Sequence, residues 1–151
     1  MDRFDASPLP LSPAVLKGEF DAADLVFYDV DHSGPSFRAL VFFNAADASV
    51  NTPLELDAGY AGSFVVFGHG GCFGDVGHCH VPPGHKDPFD SRPLHPLTPQ
   101  TQLVDVSDAL QVARGQGEHL LVTVLPIVPG PEAAEQRNVL EFSAMRLLTY
   151  G

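Results

Sequence analysis

Basic residues are scarce in this chain. Eight Lys and Arg stand against nineteen Asp and Glu in 151 residues, a formal net charge of −11. A surface of that sign repels phosphate backbones and anionic lipid, which argues against nucleic acid and membrane as partners and suits a basic protein or cations. Long apolar runs are missing too: none approaches the roughly 20 residues of a spanning helix. The segment Met1–Pro8 lacks the basic and then apolar layout of a signal peptide. The expectation is a cytoplasmic protein, or one exported bound to a partner that carries the signal. Only two cysteines occur. In a reducing compartment such a pair serves as thiols or ligands more often than as a bridge.

Familiar catalytic signatures are absent as well. Ala61-Gly62-Ser63-Phe64 lacks the second Gly of a nucleophile elbow. There is no phosphate-binding loop and no dinucleotide fingerprint. Asp105 and Asp108 are spaced to act as an acid–base pair, but capping of a helix is the simpler role for them.

What the chain does have is a globular balance, 44% hydrophobic and 18% charged, with 14 Pro and 14 Gly between β-forming runs. Residues 1–22 are Pro-rich and read as an N-terminal arm; residues 23–151 read as a single domain. Ala23–Val30, Phe37–Asn44, Ser63–Gly68, Gln102–Val106, His119–Val128 and Val139–Tyr150 read as strands, Ser63–Gly68 as a central one, and Pro53–Asp57 as a short edge strand. Asp31–Pro35 is a turn cluster. Ser107–Arg114 reads as a short helix, with Asp105 or Ser107 as cap and Gly115 as its end. About seven strands and one short helix imply an all-β fold, an antiparallel β-sandwich or squat barrel. Apolar positions of Phe37–Asn44 and His119–Val128 supply its core, and packing is the default role of the phenylalanines.

Residues 69–100 break the pattern with a long loop rich in His, Cys and Pro; loops of this length in compact domains are often functional. The stretch Gly68–His80 reads G-H-G-G-C-F-G-D-V-G-H-C-H and holds both cysteines. Zinc and cuprous copper both accept Cys and His. The candidate metal ligands are His69, Cys72, His78, Cys79 and His80, with His85 as an alternate. If His78–His80 is extended, His78 and His80 share a face and Cys79 points away, unless Gly74 and Gly77 turn the chain. Two other readings stay open: a Cys72–Cys79 disulfide closing a small loop, and inert thiols in a solvated loop.

Tyr60-Ala61-Gly62-Ser63-Phe64 is similar to the aromatic-A-G-S-F strand of the C-terminal β domain of type-3 copper proteins, the tyrosinases, polyphenol oxidases and molluscan haemocyanins. The order Val104–Leu110 and then Leu120–Pro126 (LLVTVLP) also resembles that family, where a TDLL-like turn precedes a VTLVP-like strand. The resemblance covers residues 24–150. It departs from the family in one respect: no long amphipathic helix and no helical H-x-x-x-H pair is present to build the dicopper four-helix bundle. The resemblance therefore implies a non-catalytic accessory domain that covers the dicopper site or helps to load it, with a type-3 copper oxidase catalytic domain or subunit as partner. It also implies latency through a side chain placed in the substrate entrance. Phe73, at the tip of the loop, is the candidate plug; its other reading is a loop-anchoring aromatic. A stand-alone copper or zinc carrier is the alternative. A cupin-type metalloenzyme is a third reading, since Gly74-x-x-x-His78-x-His80 resembles the first cupin motif but lacks the Glu that should follow.

Overall fold

A computed structural model of the chain describes residues 3–69, 89, 99–130 and 139–151. In chain order these form β1 (Phe4–Asp5), β2 (Leu9–Pro10), α1 (Pro13–Lys17), β3 (Ala22–Val30), β4 (Phe37–Phe43), a 3-10 turn (Leu56–Ala58), β5 (Tyr60–Val66), β6 (Gln100–Asp105), α2 (Ser107–Ala113), β7 (His119–Leu120), β8 (Val122–Ile127) and β9 (Ala144–Tyr150). One sheet has the order β1-β8-β4-β5 and a second the order β6-β3-β9, while β2 and β7 form a two-stranded ladder. Every strand pair is antiparallel. The all-β, antiparallel sandwich expected from the sequence is what the chain adopts.

The core follows the period-two pleat. Phe37, Ala39, Val41 and Phe43 of β4 and Val122 and Val124 of β8 face Leu25, Phe27 and Val30 of β3 in one buried cluster. In β3 the alternation changes step after Phe27. The register with β6 shifts between Phe27 and Val30, and Asp29 takes a φ of 55°, so that Val30 rather than Asp29 turns inward. The other face of the first sheet is apolar too: Leu40, Phe42, Ala48 and Leu125 form a second cluster, with Tyr60 packed on it.

Four local readings differ from the structure. Pro53–Asp57 is no strand; the chain there closes the 3-10 turn, which Gly59 ends at φ 83°. The Ser63–Gly68 run, β5, is an edge of its sheet rather than a central strand. His119–Val128 is split into β7 and β8 because Asn44 intervenes. Asn44 sits at φ 52°, its Oδ1 accepts the Leu121 N–H at 2.9 Å, and its own N–H donates to the Leu121 carbonyl at 2.9 Å. Residues 139–143 precede β9 as irregular chain, tied by the Ser143 N–H to the Tyr28 carbonyl and by the Asp31 N–H to the Glu141 carbonyl.

Residues 3–20 are tied into this scaffold. β1 pairs with β8 and β2 with β7. Arg3 donates to the Asp5 carboxylate and to the Ala48 carbonyl, and the buried Thr123 hydroxyl donates to Asp5 at 2.9 Å. Ser12 caps α1 through the Val15 N–H, and Gly18 closes it in the left-handed conformation at φ 74°.

Candidate functional site

The Cys/His-rich segment follows β5 in the chain, and its first residues, Gly68 and His69, are placed by the pairing of β4 with β5. Phe37 lies opposite Val66, so the residues before Phe37 run alongside those after Val66. The Gly68 N–H donates to Ser36 Oγ at 3.0 Å. A Cβ on Gly68 would collide with the Gly34 carbonyl and with Pro35, so glycine is what lets the two segments touch. One residue on, the His69 N–H donates to the His32 carbonyl at 2.9 Å and its Nδ1 lies 3.3 Å from the same oxygen. The two imidazoles meet edge to face, their centroids 4.9 Å apart.

His32 is buried and His69 exposed. The turn that carries His32 is rigidified by Asp31, whose carboxylate accepts the Ser33 N–H at 3.1 Å and the Ser33 hydroxyl at 2.8 Å. The bond from the Ser33 hydroxyl is the main reason that the Asp31 carboxyl ionises below its ordinary range.

Of the five candidate metal ligands the structure places His69; Cys72, His78, Cys79 and His80 lie outside the described residues, as do Phe73 and His85. His69 is brought against His32, a residue that the sequence reading left in a turn. The signal that would have found it is the strand pairing itself: an antiparallel partnership of Phe37–Asn44 with Ser63–Gly68 aligns His32 with the start of the loop. Two imidazoles are fewer than the three or four protein ligands of a zinc or copper centre. Among the described residues no group of three or more His, Cys, Asp or Glu is placed to hold a metal ion.

Asp105 is engaged at the start of α2. The Asp105 carboxylate accepts the Ser107 N–H at 3.0 Å and the Ser107 hydroxyl at 2.6 Å, but the N-cap position of α2 is Val106, without a side-chain cap bond, so neither Asp105 nor Ser107 is the cap residue expected from the sequence. The Ser107 hydroxyl also lowers the ionisation range of the Asp105 carboxyl, and Ser107 Oγ accepts the Ala23 N–H at 3.0 Å, which ties α2 to β3.

Gly62 shows why the AGSF sequence occurs where it does. At φ 145° it carries β5 past β6, and a Cβ there would lie 2.5 Å from Val104 Cγ1. The motif thus marks the point where an edge of one sheet closes on an edge of the other, β5 against β6.

No family model and no curated protein matches the sequence. Solved structures do match the fold. Latent aurone synthase (polyphenol oxidase) from natural source superposes with a TM-score of 0.53 at 15% identity, covering 99% of this chain and 24% of that one. The recombinantly expressed latent enzyme, co-crystallized with hexatungstotellurate(VI) and soaked in H2O2, gives 0.54 at 16% identity over the same shares. The chain thus spans about a quarter of the length of the structures it matches. Over nearly all of its residues it has the fold of one domain of a latent polyphenol oxidase, the β architecture that its AGSF and LLVTVLP segments resemble.

Proposed function

We propose that this chain is a non-catalytic accessory domain of a tyrosinase-like, type-3 copper oxidase, acting over the dicopper site of a catalytic domain or subunit. The observation that carries the reading is the lopsided coverage. Almost the whole chain corresponds to a quarter of an enzyme described as latent, so the remaining three quarters are where the partner's bundle belongs. The longest helix among the described residues is the seven-residue α2, far too short for a copper-binding bundle. The Cys/His loop adds a metal-handling role to this reading. His69 at its root, with Cys72, His78, Cys79 and His80 beyond it, would pass copper to the partner, and His32 beside His69 would orient that first imidazole. The stand-alone copper or zinc carrier is the same loop chemistry without the partner.

The test mixes this chain with a copper-free tyrosinase-type catalytic domain and follows bound copper and diphenol oxidation. Faster copper loading or suppressed oxidation, lost in a Cys72→Ser/His78→Ala/His80→Ala variant, is the expected result. No change in either rate, with no complex on a sizing column, removes the accessory role. Tight copper or zinc binding without a complex turns the assignment to the carrier.

A further inference from the structure

A second surface lies away from the loop. Between the 3-10 turn, the start of β5 and α2 runs a groove of about 430 Å³. It continues into a shallow cleft between Leu56 and Val112. Large apolar side chains stand open along it: Leu54 is 47%, Leu56 43% and Val112 41% exposed, and half-buried Tyr60 forms the floor. The structured backbone on either side holds these residues out, with α2 anchored by Asp105 and by the contact of Ser107 with Ala23.

The charge around the groove has one sign. The segments 54–61 and 105–113 that flank it carry Glu55, Asp57, Asp105 and Asp108 and no Lys or Arg. Asp105 and Asp108 line the groove directly. The next cation along the chain, Arg114, is committed elsewhere: its Nη1 donates to the Leu16 carbonyl at 3.0 Å and its Nε to Gln111 at 2.6 Å. Among the described residues the ion pairs, Arg3–Asp5 and Lys17–Glu19, both lie in the N-terminal segment. An apolar trough flanked by carboxylates, with no Lys or Arg among its lining residues, is complementary to a segment that sets Lys or Arg beside apolar side chains. Such a segment buries the apolar residues and neutralises the rims together.

We propose that this groove is a docking site for a cationic, amphipathic segment of a partner protein. The inference does not depend on the copper-oxidase reading, because it concerns a different face and its probe is a free peptide. The probe is a fluorescently labelled peptide of alternating Leu and Lys blocks, with a Leu–Glu peptide of equal length beside it, titrated into the full 151-residue chain. The Leu–Lys peptide is expected to bind. Affinity should drop at least about fivefold, equivalent to roughly 1 kcal/mol, in Leu56→Gln/Val112→Gln and separately in Asp57→Asn/Asp108→Asn. The control Asp29→Asn/Glu141→Gln removes the same charge at the opposite end of β3 from the groove and should lose less than about twofold. All substituted positions are exposed, and circular dichroism checks the fold. Equal losses in groove and control variants would reduce the effect to net charge and overturn the proposal. So would equal binding of the Leu–Glu peptide, or no binding of the Leu–Lys peptide.

Discussion

The neighbouring strands β4 and β5 are similar in sequence and opposite in circumstance. FRALVFF of β4 and the run SFVVFG, which ends β5 and continues two residues past it, are both rich in aromatic and β-branched residues. β4 lies between β8 and β5, with Phe37, Ala39, Val41 and Phe43 in the main core and Leu40 and Phe42 in the second cluster, so both of its faces are covered. β5 is an edge, and its outward residues stand in solvent: Val65 is 47% and Phe67 76% exposed. Hydrophobicity of a run reports that it can be buried. Whether both faces are buried depends on what the rest of the chain lays beside it, and strands with one or with two neighbours read alike.

Paired substitutions in the two strands test this contrast. Phe42→Ala removes a fully buried ring that packs against Tyr60 with centroids 5.7 Å apart. Its expected cost is about 3–5 kcal/mol. Phe67→Ala, in the continuation of the edge strand, should stay within about 0.5 kcal/mol. Urea unfolding of the two variants measures both, and comparable losses would mean that Phe67 is covered. A smaller effect tests the seam that β5 makes with β6. Gly62→Ala sets a methyl against the buried Val104 at a backbone angle that favours glycine, with an expected loss of about 1–3 kcal/mol. An unchanged urea midpoint would show that the seam can open without cost.

The smallest effect belongs to the polar margins that both strands leave to their connections. The Asp5 carboxyl is held below its ordinary range chiefly by its hydrogen bond from Arg3, and Asp31 and Asp105 by Ser33 and Ser107. A folded-state value below the unfolded one means that these bonds stabilise the protein above about pH 4, and that their contribution disappears as pH falls through the folded value. All three groups are well solvated, so each contributes about 0.5 kcal/mol. The stability gap between wild type and Asp5→Asn should therefore be constant from pH 7 to about pH 5 and close at lower pH. A gap that persists in acid would assign the effect to packing instead of charge.

Much of the fold was legible in local chemistry. β3, β4 and β6 fall within a residue or two of the runs that announce them, and α2 occupies Ser107–Ala113 as its sequence implies, although its N-cap is Val106 rather than Asp105 or Ser107. Readings failed where a distant residue intervened. Asn44, 77 positions from Leu121, interrupts the strongest apolar run in the chain. The Leu56–Ala58 segment winds into a 3-10 turn and packs beside α2 and β5 instead of extending along a sheet. The candidate site divides in the same way. His69 was visible because its loop concentrates metal-binding residue types, whereas His32 gained interest only through the β4–β5 register. The groove beside α2 was invisible for the same reason, since its walls are some fifty residues apart in sequence and each alone looks like an ordinary polar surface.

The sequence by itself determined the fold class, the strands that carry a β-branched pattern, the acidic character and the one segment rich in Cys and His. These properties are set by side-chain type and short-range periodicity. The tertiary structure alone decided that β5 is an edge, that His32 meets His69, that Gly62 and Gly68 are required where another segment presses against the strand, and that an apolar groove opens between acidic rims. Each of these depends on which segments the register brings within a few ångströms of one another, a property of the assembled chain rather than of any stretch within it.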